Sequence, residues 1–199
     1  IRDGFTMMAE VYWNLEWDLQ QQGFDYTYDK KYYDRLIERE VSGLKGHLTA
    51  TPNFMKHSIR FLENHDEPRV ASTITDVKQH AAAAVLAFTV PGLRFFHEGQ
   101  FQGRKSFVSM HVGRRVDEST ELHVENFYDK LLSILKEEAI YNGQWKLINC
   151  RQAWDGNNTW NNFICYQWTL DNIFILVCVN YGSTQGQCYV NLRNETILD

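Results

Sequence analysis

Ser58-Ile59-Arg60-Phe61-Leu62-Glu63-Asn64-His65-Asp66 opens like a short buried strand and breaks off into side chains that favour turns. Upstream, Phe24 to Tyr28 is a short aromatic strand, and Asp29 can cap a helix from Lys30 to Glu40 in which Tyr33, Leu36 and Ile37 share one stripe. Farther upstream, Phe5 to Tyr12 is an apolar run. Asn14 stands where an N-cap would, and Trp13 and Trp17, like Leu15 and Leu19, sit one turn apart before Gly23. Downstream, Thr73 and Asp76 resemble a capping box ahead of a long helix through Ala81 to Phe88 that Pro91 and Gly92 close. Leu93 to Phe96 is a fourth strand and Leu122 to Ala139 a fourth helix. Four strand–helix units in succession predict a parallel sheet with right-handed crossovers, an α/β architecture.

From Trp145 onward the period is that of strands. Phe163 to Leu170 and Ile173 to Tyr181 flank a two-residue Asp171-Asn172 turn, and Gln187 to Leu192 adds a further strand. The expected division is therefore residues 1–143, a partial barrel, and 144–199, a small and incomplete antiparallel β-sandwich domain. Trp145, Trp154, Trp160 and Trp168 are expected to fill the seam between that domain and the last helix. Glu98 to Glu121, long and basic for a connection, reads as an active-site loop.

Composition narrows the function. A net charge of −5 argues against nucleic acid as a partner, because phosphate neutralisation needs a basic surplus. No 18-residue apolar run exists to span a bilayer, so no membrane partner is expected. Cys150, Cys165, Cys178 and Cys188 stand 15, 13 and 10 residues apart without a CxxC pair, which reads as free buried thiols or, alternatively, a disulfide. The sequons at Asn157 and Asn194 are read as chance matches.

In parallel sheets chemistry gathers beyond the C-terminal ends of the strands. Three of the four expected strands end in ionisable groups: Glu10 after the first, Glu63 to Asp66 after the third, and His97-Glu98 after the fourth. Carboxylates at neighbouring strand ends can face one cavity and share acid–base work on a glycosidic bond.

Arg60-Phe61-Leu62-Glu63-Asn64-His65-Asp66-Glu67-Pro68-Arg69 resembles the signature after the seventh barrel strand of the α-amylase superfamily, glycoside hydrolase family 13. Ala9-Glu10-Val11-Tyr12-Trp13 is similar to that family's fifth-strand motif, Gly23 to Asp29 to its sixth-strand region, and Pro91 to Gln100 to its eighth, in matching order and spacing. The resemblance implies the C-terminal half of a (β/α)8 TIM barrel followed by most of the family's β-domain. It makes Glu10 the general acid and Asp66 the auxiliary carboxylate. His65 would donate a hydrogen bond to the same sugar, with Tyr12, Trp13 and Arg69 as further substrate contacts and Glu98 and Gln100 as loop anchors. The family's nucleophilic Asp has no counterpart here, because seven residues separate Asp3 from Glu10 where a βα unit takes roughly 30.

The expectation is thus a fragment of a retaining glycosidase acting on starch, maltooligosaccharides or related α-glucans, inactive by itself, with Ile1 marking a cut before the fifth strand. The alternatives are a transglycosylase parent or a non-catalytic carbohydrate-binding or scaffold protein. No cofactor and no metal are expected, since the family's calcium is held mainly by parts outside this stretch. Exposed barrel edges suggest a homodimer.

Overall fold

A computed structural model describes residues 4–12, 14–111 and 114–192. Four short strands, β1 (Met8–Ala9), β2 (Tyr26–Tyr28), β3 (Ser58–Arg60) and β4 (Leu93–Arg94), form one sheet in chain order. Every pairing in it is parallel, with Met8 beside Tyr26, Tyr28 beside Ile59 and Arg60 beside Arg94. The helices between them are α1 (Glu16–Gln21), α2 (Lys30–Ile37), α3 (Val41–His47), α4 (Pro52–Lys56), α5 (Val70–Thr73) and α6 (Val77–Phe88). After β4 comes a long segment whose described residues form no helix or strand, then α7 (Leu122–Ile134) and α8 (Glu138–Asn142). Among the described residues no helix is long and apolar enough to cross a membrane.

Local chemistry sets the boundaries. Asp29 caps α2 by accepting from the Tyr32 amide at 3.0 Å. That helix stops at Ile37, short of the expected Glu40, because Arg39 adopts a left-handed φ of 58°. Asn14 is not the N-cap of α1: it too is left-handed, and its side-chain oxygen accepts from Lys31 Nζ at 3.1 Å while Leu15 holds the cap position. Asp76 alone caps α6, through Gln79 N at 2.7 Å, whereas the Thr73 hydroxyl turns back to the Arg69 carbonyl. The strands are shorter than their apolar runs. Phe61 to Asn64 leave the ladder yet stay buried, so burial outlasts strand pairing at this strand end.

The rest is antiparallel: a three-stranded sheet of β5 (Gln144–Ile148), β7 (Phe163–Leu170) and β8 (Ile173–Asn180), and a two-stranded one of β6 (Cys150–Arg151) and β9 (Tyr189–Val190). The hairpin turns where expected, closing with Leu170 opposite Ile173 across Asp171, whose φ is 49°. Of the expected strand Gln187 to Leu192 only Tyr189–Val190 pairs.

One apolar core runs through both parts, from Leu36, Leu44 and Phe88 to Tyr128, Ile164, Tyr166 and Tyr181. The seam differs from the expected tryptophan fill. Trp154 is 56% exposed, and tyrosines take its place: Tyr166 Oη meets Thr89 Oγ1 at 2.6 Å and Tyr181 Oη donates to Leu36 O at 2.7 Å. Trp168 does serve the seam, its indole donating to Thr89 O at 2.7 Å. Trp168→Phe should therefore cost about 1–2 kcal/mol by leaving that carbonyl unpaired. A urea midpoint equal to wild type would show the bond to be dispensable.

Candidate active site

Two strand ends meet at one solvent-exposed site. Glu10 directly follows β1, and the loop after β3 carries His65 and Asp66 to it. His65 Nε2 stands 3.4 Å from Glu10 Oε1 and 3.5 Å from Asp66 Oδ2, and one oxygen of each carboxylate and this nitrogen lie within 4.8 Å of one another. Tyr12 Oη donates to Glu10 Oε1 at 3.0 Å. The Glu10, His65 and Asp66 side chains are between about one third and one half exposed, so a ligand can reach all three. Burial first, and then the hydrogen bond to Glu10 and the charges of Glu10, Asp66 and Glu67, push the Tyr12 phenol well above its ordinary value, which keeps it a donor.

Support comes from residues that sequence reasoning left without a role. Asn64 is fully buried and its Oδ1 accepts from both Asp66 N and Glu67 N at 2.9 Å. This side-chain turn bends the backbone so that His65 and Asp66 face Glu10. Glu63, also fully buried, accepts from Val70 N at 2.6 Å and pairs with Arg69 at 2.8 Å. A carboxylate at a strand end with an arginine six residues on was the signal available for that pair.

Arg69, expected at the substrate, lies inside. Its guanidinium reaches Glu63, donates to His97 Nδ1 at 2.5 Å and holds the Glu98 carbonyl at 2.6 Å. It thereby ties the end of β4 to the loop after β3. Gly99 makes room for it: at φ 85°, a Cβ there would fall 2.4 Å from Arg69 Nη2. Gln100 anchors the next turn, bonded to His97 N and Tyr128 Oη, while Glu98 pairs with Arg115 across the loop. Trp13 lies outside the described residues, as do Asp3 and Asn194.

A buried charge network links the ends of β2 and β3 to α3. Asp29 accepts from Arg60 Nη1 and from His47 Nε2, the latter at 2.8 Å, and Arg60 also donates to Pro91 O at 3.0 Å and lies over the Tyr32 ring. Burial opposes ionisation of Asp29, but Arg60 and His47 outweigh it and hold the carboxyl below its usual range. Among the described residues, two clusters are close enough to hold a cation: Glu10, His65 and Asp66, and the sulfurs of Cys150, Cys165 and Cys188.

No protein-family model matches the sequence, and no curated protein matches it significantly. Solved structures do match. A noncanonic maltogenic α-amylase from Thermotoga neapolitana aligns with a TM-score of 0.61 and 23% identity over 90% of this chain and 42% of its own. A debranching enzyme from Nostoc punctiforme, soaked with acarbose, gives 0.70 and 14% over 90% and 42%. An α-amylase from Geobacillus thermoleovorans, complexed with acarbose, gives 0.70 and 15% over 92% and 43%. The chain is thus similar in fold to enzymes of the α-amylase family, and it spans less than half the length of the structures it matches.

Proposed function

We propose that this chain is the C-terminal half of the catalytic barrel, with most of the following β-domain, of a retaining glycoside hydrolase that acts on the α-glucosidic bonds of starch, maltooligosaccharides or related α-glucans. The observation that carries this is the meeting of Glu10 with His65 and Asp66 at neighbouring strand ends of a parallel sheet. Two of the similar structures hold acarbose, and another is a hydrolase complexed with cyclic α-maltosyl-(1→6)-maltose, which agrees with an α-glucan substrate.

In this reading Glu10 gives its proton to the departing glycosidic oxygen and later takes one from the attacking water. Asp66 and His65 bind hydroxyls of the sugar whose bond breaks, Asp66 gaining strength as positive charge develops on the ring. Tyr12 orients the Glu10 carboxyl and borders the substrate, Trp13 is kept as a stacking candidate, and Arg69 positions the loop from within. The nucleophile comes from the upstream half of the barrel. The division at residues 143 and 144 belongs to the same proposal, as does, for the isolated chain, pairing of two copies through the outer strands β1 and β4 that the upstream half would otherwise cover.

Two results follow. The 199-residue chain alone should release no reducing sugar from maltooligosaccharides. Turnover that Glu10→Gln abolishes would show instead that the chain is a complete catalyst. In the intact enzyme, Asn64→Ala should lower kcat by about 10-fold to 100-fold, since a small misplacement of Asp66 is costly. An unchanged kcat would deny Asn64 its positioning role.

A further inference from the structure

The four cysteines, 15, 13 and 10 residues apart in sequence, converge on one spot in the β region. Cys165 and Cys178 are directly opposed across β7 and β8, with sulfurs 2.7 Å apart. Cys150 comes from β6 and Cys188 from just before β9, and their sulfurs lie with that of Cys165 inside 4.8 Å of one another. Cys150 sits against Cys165 and Cys188, and Cys178 against the same two.

We propose that Cys150, Cys165, Cys178 and Cys188 bind one thiophilic divalent cation, zinc, which holds the β6–β9 arm against the three-stranded sheet. A tetrahedral zinc with bonds of about 2.3 Å places its sulfurs roughly 3.8 Å apart. The sulfurs of Cys150, Cys165 and Cys188 lie inside 4.8 Å of one another, close enough to contract to that spacing, and the exposed Cys178, now 2.7 Å from Cys165, must draw back from it by about 1 Å to join them. A Cys165–Cys178 disulfide is the competing reading, since those two sulfurs lie 2.7 Å apart; it would leave Cys150 and Cys188 as a pair of thiols beside it, whereas a metal uses all four.

The surroundings fit a thiolate cluster. Four thiolates and one zinc carry a net charge of −2, and the Lys45 ammonium stands close to Cys150, Cys165 and Cys188, held by Asn161 O at 2.8 Å and set over the Trp160 ring. The arm has reason to need a staple. It is two residue pairs long, and Tyr189 and Leu192 are exposed, so little apolar burial retains it. It is also aimed: Gln187 N donates to Thr159 Oγ1 at 3.2 Å and Gly186 packs against Thr159 and Phe163, which delivers Cys188 to Cys165. The cysteines read as free thiols or a disulfide because no CxxC pair is present, and a site assembled from four separate chain segments leaves no such spacing.

The test uses the wild-type chain purified under reducing conditions without chelator. Elemental analysis should find one zinc per chain. Replacing it with Co2+ should give the intense sulfur-to-cobalt charge-transfer band and visible bands of a tetrahedral thiolate site. All four thiols should resist a thiol reagent until a chelator is added, and chelation should lower Tm by roughly 5–10 °C. Cys150→Ser combined with Cys188→Ser should abolish the cobalt spectrum. The proposal fails if the reduced chain takes up no zinc or cobalt with its four thiols freely reactive, or if mass spectrometry of the protein as isolated shows a Cys165–Cys178 disulfide, alone or beside a second one. None of these readouts depends on glycosidase activity.

Discussion

In the intact enzyme, Glu10→Gln should lower kcat on maltooligosaccharides by about 1,000-fold, within the range a positioned general acid supplies. The amide keeps the shape of the carboxyl and can still accept from Tyr12 Oη and His65, so KM should change little. What is lost is the proton for the departing oxygen. That loss matters only when the oxygen needs protonation, so an aryl α-glucoside with an acidic phenol should suffer far less in the bond-breaking step than maltotriose. A uniform loss on both substrates would assign Glu10 to sugar binding instead, and wild-type kcat on maltotriose would remove it from the mechanism.

Arg60→Met should destabilise the fold by about 3–5 kcal/mol, because it leaves the Asp29 carboxylate buried without its main counter-charge. The pH dependence has a definite sign. Asp29 ionises more readily folded than unfolded, so its contribution is present above the unfolded carboxylate value, about 3.9, and is lost as pH falls through the folded one. With Arg60 gone, burial favours the protonated acid. The gap between wild type and variant should therefore be wide at pH 7 and narrow in acid, as read by chemical denaturation at each pH. A gap independent of pH would place the cost in lost packing on Tyr32 and not in charge.

The order of the parallel sheet was legible because each strand is a β-rich run followed by a capped helix, and caps such as Asp29 and Asp76 act within three residues of themselves. Glu10, His65 and Asp66 were legible because each terminates such a run. What was hidden depends on contacts distant in sequence. That Arg69 turns inward follows from the fully buried Glu63 carboxylate, which needs a counter-charge and has Arg69 at 2.8 Å. The tyrosine seam needs the Thr89 hydroxyl and the Leu36 carbonyl, which no local pattern announces. The cysteine cluster gathers four segments, and the left-handed Asn14 shows that a residue favoured as a cap can serve as a turn when a lysine claims its side chain.

The central claim is that the Glu10, His65 and Asp66 site binds an α-glucan across its scissile bond. The direct measurement is a crystal structure of the intact Glu10→Gln enzyme soaked with a maltooligosaccharide. The account predicts a glycosidic oxygen within hydrogen-bond distance of the position-10 side chain, with hydroxyls of the adjoining sugar on His65 and Asp66. Sugar bound elsewhere on the molecule with this site empty would contradict it.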